Sequence, residues 1–414
     1  MNRNKALASL IAALIFTISN AFSQQDLAKL KEYQSRGGLP YFSYKVQSGK
    51  PIKVAFLGGS ITLAEDGWRS RMMEWLEKEW PLNSFEEVNA CLGGTGSDLA
   101  VFRLEQDIFP HKPDLIFVEF AVNDAKKSPE KIKKAMEGIV LKSWQFNIAS
   151  DFCFVYTVNE DMIDTLQAGN MQQSASAMEE VADFYNIPSI HLGVSVLEKM
   201  DKDGWTFTGD NGDKSFTRDG LHPHVTSGHK VYFETISEIV LNQVDKDKLK
   251  PHKVKKTISE DNWSNARILA KEDLTFSEGW QSLTELNRPS VTTNEILPEV
   301  VMKSKSTGET IDFKFTGSVL GIYDIVGPSA GTISISIDGG EPQELTRFDP
   351  WCTYNRLSYL LIEGLEKKEH TAQIKVLDKE LDKEAILKER GNEMGNPALF
   401  KENALSLVGI LVAD

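Results

Sequence analysis

Cysteine is scarce in this chain. Its three copies in 414 residues, Cys91, Cys153 and Cys352, stand too far apart for the paired spacing of a zinc site. Neither a metal centre nor a disulfide framework is expected, and at most one bridge can form. Positive charge is also in deficit: 46 Lys and Arg against 60 Asp and Glu leave a formal net charge of -14. A polyphosphate partner would be repelled unless a local basic patch intervened, so nucleic acid is not an expected partner. Internal repeats and low-complexity segments are absent from the sequence. What remains is 41% hydrophobic and 26% charged, an ordinary globular composition, with room for two or three domains at ~150 residues each.

The first residues read as an export leader. Arg3 and Lys5 precede an apolar run over residues 6–16, and Ala21-Phe22-Ser23 places small residues where a signal peptidase cuts. The run is shorter than the ~20 apolar residues a spanning helix needs, and nothing later in the sequence replaces it. Cleavage is expected after Ser23, leaving a mature chain without a membrane anchor, periplasmic or extracellular.

From residue 50 to 243, short apolar runs alternate with longer amphipathic stretches. Strands are expected at 52–57, 87–92, 114–120, 152–156 and 187–192, and helices at 68–79, 129–143 and 175–185. Strand and helix in alternation predict a parallel sheet covered on both faces, with ligands at the carboxyl ends of the strands. The charged, proline-containing stretch at 245–258 reads as a linker. Period-two segments follow at 310–315, 332–337 and 371–377, with Asp338-Gly339-Gly340 as a turn signal. They predict an all-β module over 259–414, most simply a sandwich, with a charged helical insertion at 379–391 and a last strand near 405–412.

Chemistry-bearing residues fall just after the predicted strands. Gly58-Gly59-Ser60-Ile61-Thr62 follows the first; its glycines permit a sharp turn, and Ser60 stands where a helix begins, although a plain helix N-cap reads the same way. Residues 89–97, Asn-Ala-Cys-Leu-Gly-Gly-Thr-Gly-Ser, form a glycine-rich turn whose N–H groups can meet a developing oxyanion. The rival use of such a turn, cradling a phosphate, lacks the P-loop lysine. Asn123, in Ala121-Val122-Asn123-Asp124, offers a further donor, and an ordinary turn is its alternative. Past the last strand, Asp219-Gly220-Leu221-His222-Pro223 pairs a candidate base, His222, with a carboxylate three residues earlier that can orient it. A metal site from His222, His224 and His229 lacks a matching carboxylate or cysteine cluster.

Taken in order, Gly-Gly-Ser-Ile-Thr, Asn-x-x-x-x-Gly, Val-Asn-Asp and Asp-Gly-Leu-His-Pro resemble the blocks of the SGNH subgroup of the GDSL esterase/lipase superfamily, over residues 50–240. The resemblance implies a flavodoxin-like three-layer α/β domain over 24–244 and a triad of Ser60 as nucleophile, His222 as base and Asp219 as orienting acid. It further implies an oxyanion hole from the Ser60 and Gly94 N–H groups and the Asn123 side chain, and no metal or cofactor. Two departures stand out: Gly-Gly-Ser replaces Gly-Asp-Ser, and Cys91 takes a place where the second block often has glycine. With the leader and the appended β module, the whole resembles bacterial carbohydrate esterases that remove acetyl groups from polysaccharides.

In the β module, residues 348–359 gather aromatics with Arg356. Trp351, Tyr354 and Arg356 are candidates for stacking on a sugar ring, and burial in a sandwich core is the equal alternative. Two other functions stay open: a lipase or thioesterase on the same fold, and a non-catalytic glycan-binding protein. The short polar loops at 63–67 and 95–98 disfavour the first, and an intact Ser60, Asp219 and His222 disfavour the second.

Overall fold

The computed structural model describes residues 27–210, 212–244, 248–254, 256–284, 291 and 301–414. The leader at 1–23 lies outside these residues, as do 245–247 and 255 of the expected linker. Among the described residues no helix is long and apolar enough to cross a membrane.

The amino-terminal part is an α/β domain around a six-stranded sheet. Its strands are β1 (Tyr33–Gln34), β2 (Ile52–Gly58), β3 (Phe85–Asn89), β4 (Leu115–Glu119), β5 (Asp151–Tyr156) and β6 (Ser189–His191), in the spatial order β1-β6-β5-β4-β2-β3. β2 to β6 run parallel, whereas β1 pairs antiparallel with β6. The sheet is therefore mixed, a correction to the purely parallel sheet expected. β1 is two residues long and half-buried, too short to display a period. The expected strand at 87–92 also begins and ends earlier, although Ala90 and Leu92 still donate to the carbonyls of Phe56 and Gly58 and hold the chain against β2.

Alternation along the strands sends side chains to both faces. Ala55, Leu57, Ile116 and Val118 pack under the helices Ser97–Asp107, Pro129–Phe146 and Gln173–Tyr185. Val54, Phe56, Leu115 and Phe117 pack under Pro40–Gln47, Trp68–Glu79 and Gly228–Val244. Burial on both faces is why these strands read as unbroken apolar runs. A separate two-stranded ribbon, β7 (Thr206–Thr208) and β8 (Ser215–Thr217), precedes the last of these helices.

The carboxy-terminal part is a β sandwich. One sheet orders as β10 (Leu274–Phe276), β13 (Thr310–Gly317), β18 (Lys368–Val376), β15 (Thr332–Ile337) and β16 (Gln343–Thr346). The other orders as β11 (Trp280–Leu283), β12 (Val301–Ser304), β19 (Ser406–Ala413), β14 (Val319–Val326) and β17 (Arg356–Ile362), with β9 (Arg267–Ile268) paired to β19. Ile311, Phe313, Ile335 and Ile374 of the first face Leu320, Ile322, Ile410 and Val412 of the second across a dry core. Asp338 and Gly339 both have positive φ, 54° and 68°, and form the tight turn expected between β15 and β16. The expected insertion contains the helix Lys383–Lys388.

The central strands of the second sheet, β14 and β19, are buried on both faces. Val319, Ile325, Leu357 and Leu411 point away from the sandwich core and join the α/β domain's hydrophobic cluster beside the helices Ser97–Asp107 and Pro129–Phe146. Trp263, buried to 2% exposure, seals this junction with its ring 5.8 Å from Phe102. Lys142 adds a polar tie, donating to the carbonyls of Val101 (2.9 Å) and Ala266.

Candidate active site

The site is assembled at the carboxyl ends of β2, β4 and β5. β2 ends in Gly58, and Ser60 opens the short helix Ser60–Leu63, its side chain half-buried at the sheet edge. Glu119, the last residue of β4, has no solvent exposure. Its carboxylate accepts hydrogen bonds from Thr62 Oγ1 (2.8 Å), just past β2, and Thr157 Oγ1 (2.5 Å), just past β5, so three strand ends are tied together. Burial raises the Glu119 pKa against the opposing pull of the Thr157 and Thr62 hydroxyls and the Gly59 N–H. Glu119 was absent from the residues expected by sequence; its signal was an acid inside the otherwise apolar run 115–120.

The expected Ser60, His222 and Asp219 come together. Ser60 Oγ lies 3.0 Å from His222 Nε2, and His222 Nδ1 lies 2.8 Å from Asp219 Oδ2. With the Nδ1 proton donated to the carboxylate, Nε2 is left to accept the serine proton. The loop that presents the pair is itself tight. Asp219 Oδ1 accepts the backbone N–H groups of Leu221 (3.0 Å) and His222 (2.7 Å), and Gly220 donates to Thr217 Oγ1 at the end of β8. Burial acts to raise Asp219, but hydrogen bonds from the His222 ring and from the His222 and Leu221 amides outweigh it and hold the carboxyl down at about 2. Asp219 is therefore an anion throughout the range in which an imidazole base works.

Asn123 stands beside Gly59, the residue before Ser60. Gly59 is the close approach that admits it: a Cβ at Gly59 would lie 2.1 Å from Asn123 Oδ1. Gly94, at φ +71°, occupies a left-handed position on the exposed lip of the glycine-rich turn, a conformation other residues reach at a cost. That turn is fastened on two sides. Leu92 N–H donates to Gly58 O at 2.9 Å, and Asp124, next to Asn123, accepts from Ser97 Oγ (2.5 Å) and Ser97 N–H (3.2 Å). The segments carrying Ser60, Gly94 and Asn123 thus adjoin one another.

The remaining expectations separate. His224 and His229 do not gather with His222: His224 Nε2 meets Gly209 O at 2.8 Å, and buried His229 accepts the Trp68 N–H at 3.3 Å. Burial, with Arg71 and His222 nearby, lowers His229 to about 4, so it stays neutral. Cys91, Cys153 and Cys352 are all buried free thiols, so the one bridge that the sequence allowed is not formed. Trp351 and Tyr354 are 46% and 40% exposed on the turn before β17, with the Arg390 guanidinium 4.5 Å above the Trp351 ring centre. Arg356 pairs with Asp349. Among the described residues, none of Trp351, Tyr354 and Arg356 is hydrogen-bonded to Ser60, His222 or Asp219.

Comparison with known proteins places the fold. No protein-family model and no curated protein sequence matches the chain. Among solved structures, a two-domain esterase active on acetylated mannans superposes over 92% of this chain and 96% of its own, with TM-score 0.69 and 19% identity. The same esterase co-crystallised with mannopentaose gives 0.68 over the same shares, also at 19% identity. An acetyl xylan esterase covers 46% of this chain and 100% of its own at 23% identity and TM-score 0.37. At 19% identity the likeness establishes a shared two-domain architecture, an α/β domain followed by a β-rich one.

Proposed function

We propose that the chain is a serine esterase that removes acetyl or other short acyl groups from polysaccharides or oligosaccharides. The observation that carries this reading is the Ser60–His222–Asp219 relay, 3.0 and 2.8 Å long, at the carboxyl edge of the sheet. The order of the blocks supports an SGNH-type, flavodoxin-like domain over 24–244, with the linker at 245–258 and the sandwich at 259–414. Acylated mannan is the substrate class favoured by the two-domain likeness, since the matching esterase acts on acetylated mannans. The leader expected at 1–23 supports an exported enzyme, periplasmic or extracellular.

The geometry supports these roles. Ser60 Oγ attacks the ester carbonyl while His222 Nε2 takes its proton, and Asp219 holds the ring and offsets the imidazolium charge. The Ser60 and Gly94 N–H groups and the Asn123 amide receive the oxyanion, each such donor contributing on the order of 10²–10³ in turnover. The C–O bond of the ester breaks, His222 returns the proton to the departing sugar hydroxyl, and water then repeats the sequence on the acyl-enzyme to release the acid.

The test is acetate release from acetylated mannan, xylan and pectin, with p-nitrophenyl acetate and butyrate alongside, by the wild type and Ser60→Ala. Acetate released by the wild type and lost in the variant is the expected result. Hydrolysis restricted to the longer ester would instead indicate a lipase or thioesterase. Binding to a glycan without any hydrolysis would leave a carbohydrate-binding protein.

A further inference from the structure

A chain of buried polar contacts runs from the sandwich to the segments that carry the oxyanion donors. Tyr359, in β17, projects toward the α/β domain between Leu357 and Leu361, and its hydroxyl donates to Asp98 Oδ1 at 2.6 Å. Asp98 stands in the first turn of the helix Ser97–Asp107, directly after the glycine-rich turn, and is 2% exposed. Its carboxylate pairs with Lys127 and, at 3.1 Å, with Lys131. Lys127 Nζ also reaches Asp124 at 2.8 Å and Tyr359 Oη at 3.4 Å. Asp124, fully buried, holds Ser97 by side chain and backbone. Lys131 closes the outer side on Glu363, just past β17, at 2.6 Å.

The electrostatics make this a rigid tie. Two buried carboxylates share the Lys127 ammonium, so removing that ammonium would leave Asp124 a buried charge without a cation. Burial acts to raise Asp98, but Lys127 and Lys131 outweigh it and keep the carboxyl below its usual range. Burial also pushes the Tyr359 hydroxyl well above its ordinary value, with Lys127 opposing, so it remains a proton donor at any working pH. Ser97 lies three residues past Gly94, and Asp124 is the immediate neighbour of Asn123.

The geometry points to Tyr359 as a positioning residue for the oxyanion hole: through Asp98 and Lys127, the sandwich sets where the Gly94 and Asn123 donors stand relative to Ser60. This rests on the esterase reading. The sandwich is then a working part of the catalytic apparatus, and Tyr359→Phe, which removes one oxygen and keeps the ring packed, loosens the donors without opening the interface. A misplacement of about 1 Å at a reacting group can cost ~10² in rate, and Ser97–Asp124 remains in place, so a loss of about tenfold is expected.

The experiment uses the full chain and p-nitrophenyl acetate, with wild type, Tyr359→Phe, Asn123→Ala and the double variant, each checked by thermal unfolding. Tyr359→Phe is expected to lower kcat about tenfold with KM within about twofold. In the Asn123→Ala background the same change is expected to cost less than in the wild type, about threefold, because one of the two donors it positions is gone. A kcat for Tyr359→Phe within twofold of wild type, a rise in KM alone, or an undiminished loss in the Asn123→Ala background each overturns the inference. Should Tyr359→Phe not fold, Asp98→Asn is read by the same criteria. A wild type that hydrolyses no better than Ser60→Ala overturns the esterase reading itself, and this inference with it; hydrolysis by wild type with Tyr359→Phe unchanged overturns the inference alone.

Discussion

Gly59→Ala is a sharp test of how Asn123 is placed. Gly59 has φ -93° and ψ -159°, an extended conformation that alanine adopts freely, so the substitution introduces no backbone strain. Its effect falls on the neighbouring amide: the new Cβ would lie 2.1 Å from Asn123 Oδ1, 2.8 Å from Cγ and 3.0 Å from Nδ2. Ordinary contact begins near 3.4 Å, so the Asn123 amide must withdraw by about 1.3 Å. That distance takes a hydrogen-bond donor from good geometry to none. Losing one oxyanion donor costs on the order of 10²–10³ in turnover, so kcat on p-nitrophenyl acetate is expected to fall about 10²-fold. Overpacking typically costs about 1–3 kcal/mol of stability, which calorimetry resolves separately. Since both substitutions remove the same donor, Gly59→Ala combined with Asn123→Ala is expected to be no slower than Asn123→Ala alone. Retention of kcat within about threefold in Gly59→Ala, or additive losses in the double variant, would refute the placement of Asn123 in the hole.

Three further outcomes are expected. Burial holds the His191 imidazole down at about 3, against ~6.5 in an unfolded chain. The stability this residue provides is therefore complete above about pH 6.5 and lost as the pH falls toward 3, at about 1.4 kcal/mol per unit. Urea unfolding of wild type and His191→Gln at pH 6, 5 and 4 should show the variant's stability depending less steeply on pH by about that amount, and equal pH dependences would exclude it. Trp263→Ala, which empties the junction beside Phe102, is expected to cost about 3–5 kcal/mol in the same assay; a change under 1 kcal/mol would mean that the junction does not depend on this side chain. Burial pushes the Cys91 and Cys352 thiols up to about 12 and raises Cys153 as well. A disulfide-exchange reagent should then titrate none of the three in the native protein and all three after denaturation, whereas prompt native reaction of any one would contradict its burial.

Much of the site was legible in the residues because its parts are local. A serine after two glycines at a strand end, and a histidine three residues after an aspartate, encode their geometry within a single turn, and the structure joins them at 3.0 and 2.8 Å. The strands β2, β4 and β5 were visible as apolar runs, since a sheet covered on both faces has no polar face to break them. The same burial hid β14. Where a sandwich strand packs on its own core with one face and on helices with the other, the period-two alternation that marked β13 and β18 disappears.

Other features depended on distance along the chain. Glu119 became a brace for three strand ends when residues 57 and 38 positions away supplied its hydroxyl partners. Tyr359 meets Asp98 across 261 positions, and nothing in the short-range pattern of either segment announces the other. The antiparallel β1 joins the sheet through two residues that carry no signal of their own. Local sequence determines a turn, a cap or a strand, because a few torsions and the apolar period settle them. Which carboxylate braces which strand, and which face of the sandwich closes on the α/β domain, follow from packing among segments tens to hundreds of residues apart. There the burial of charge and apolar surface selects the partners.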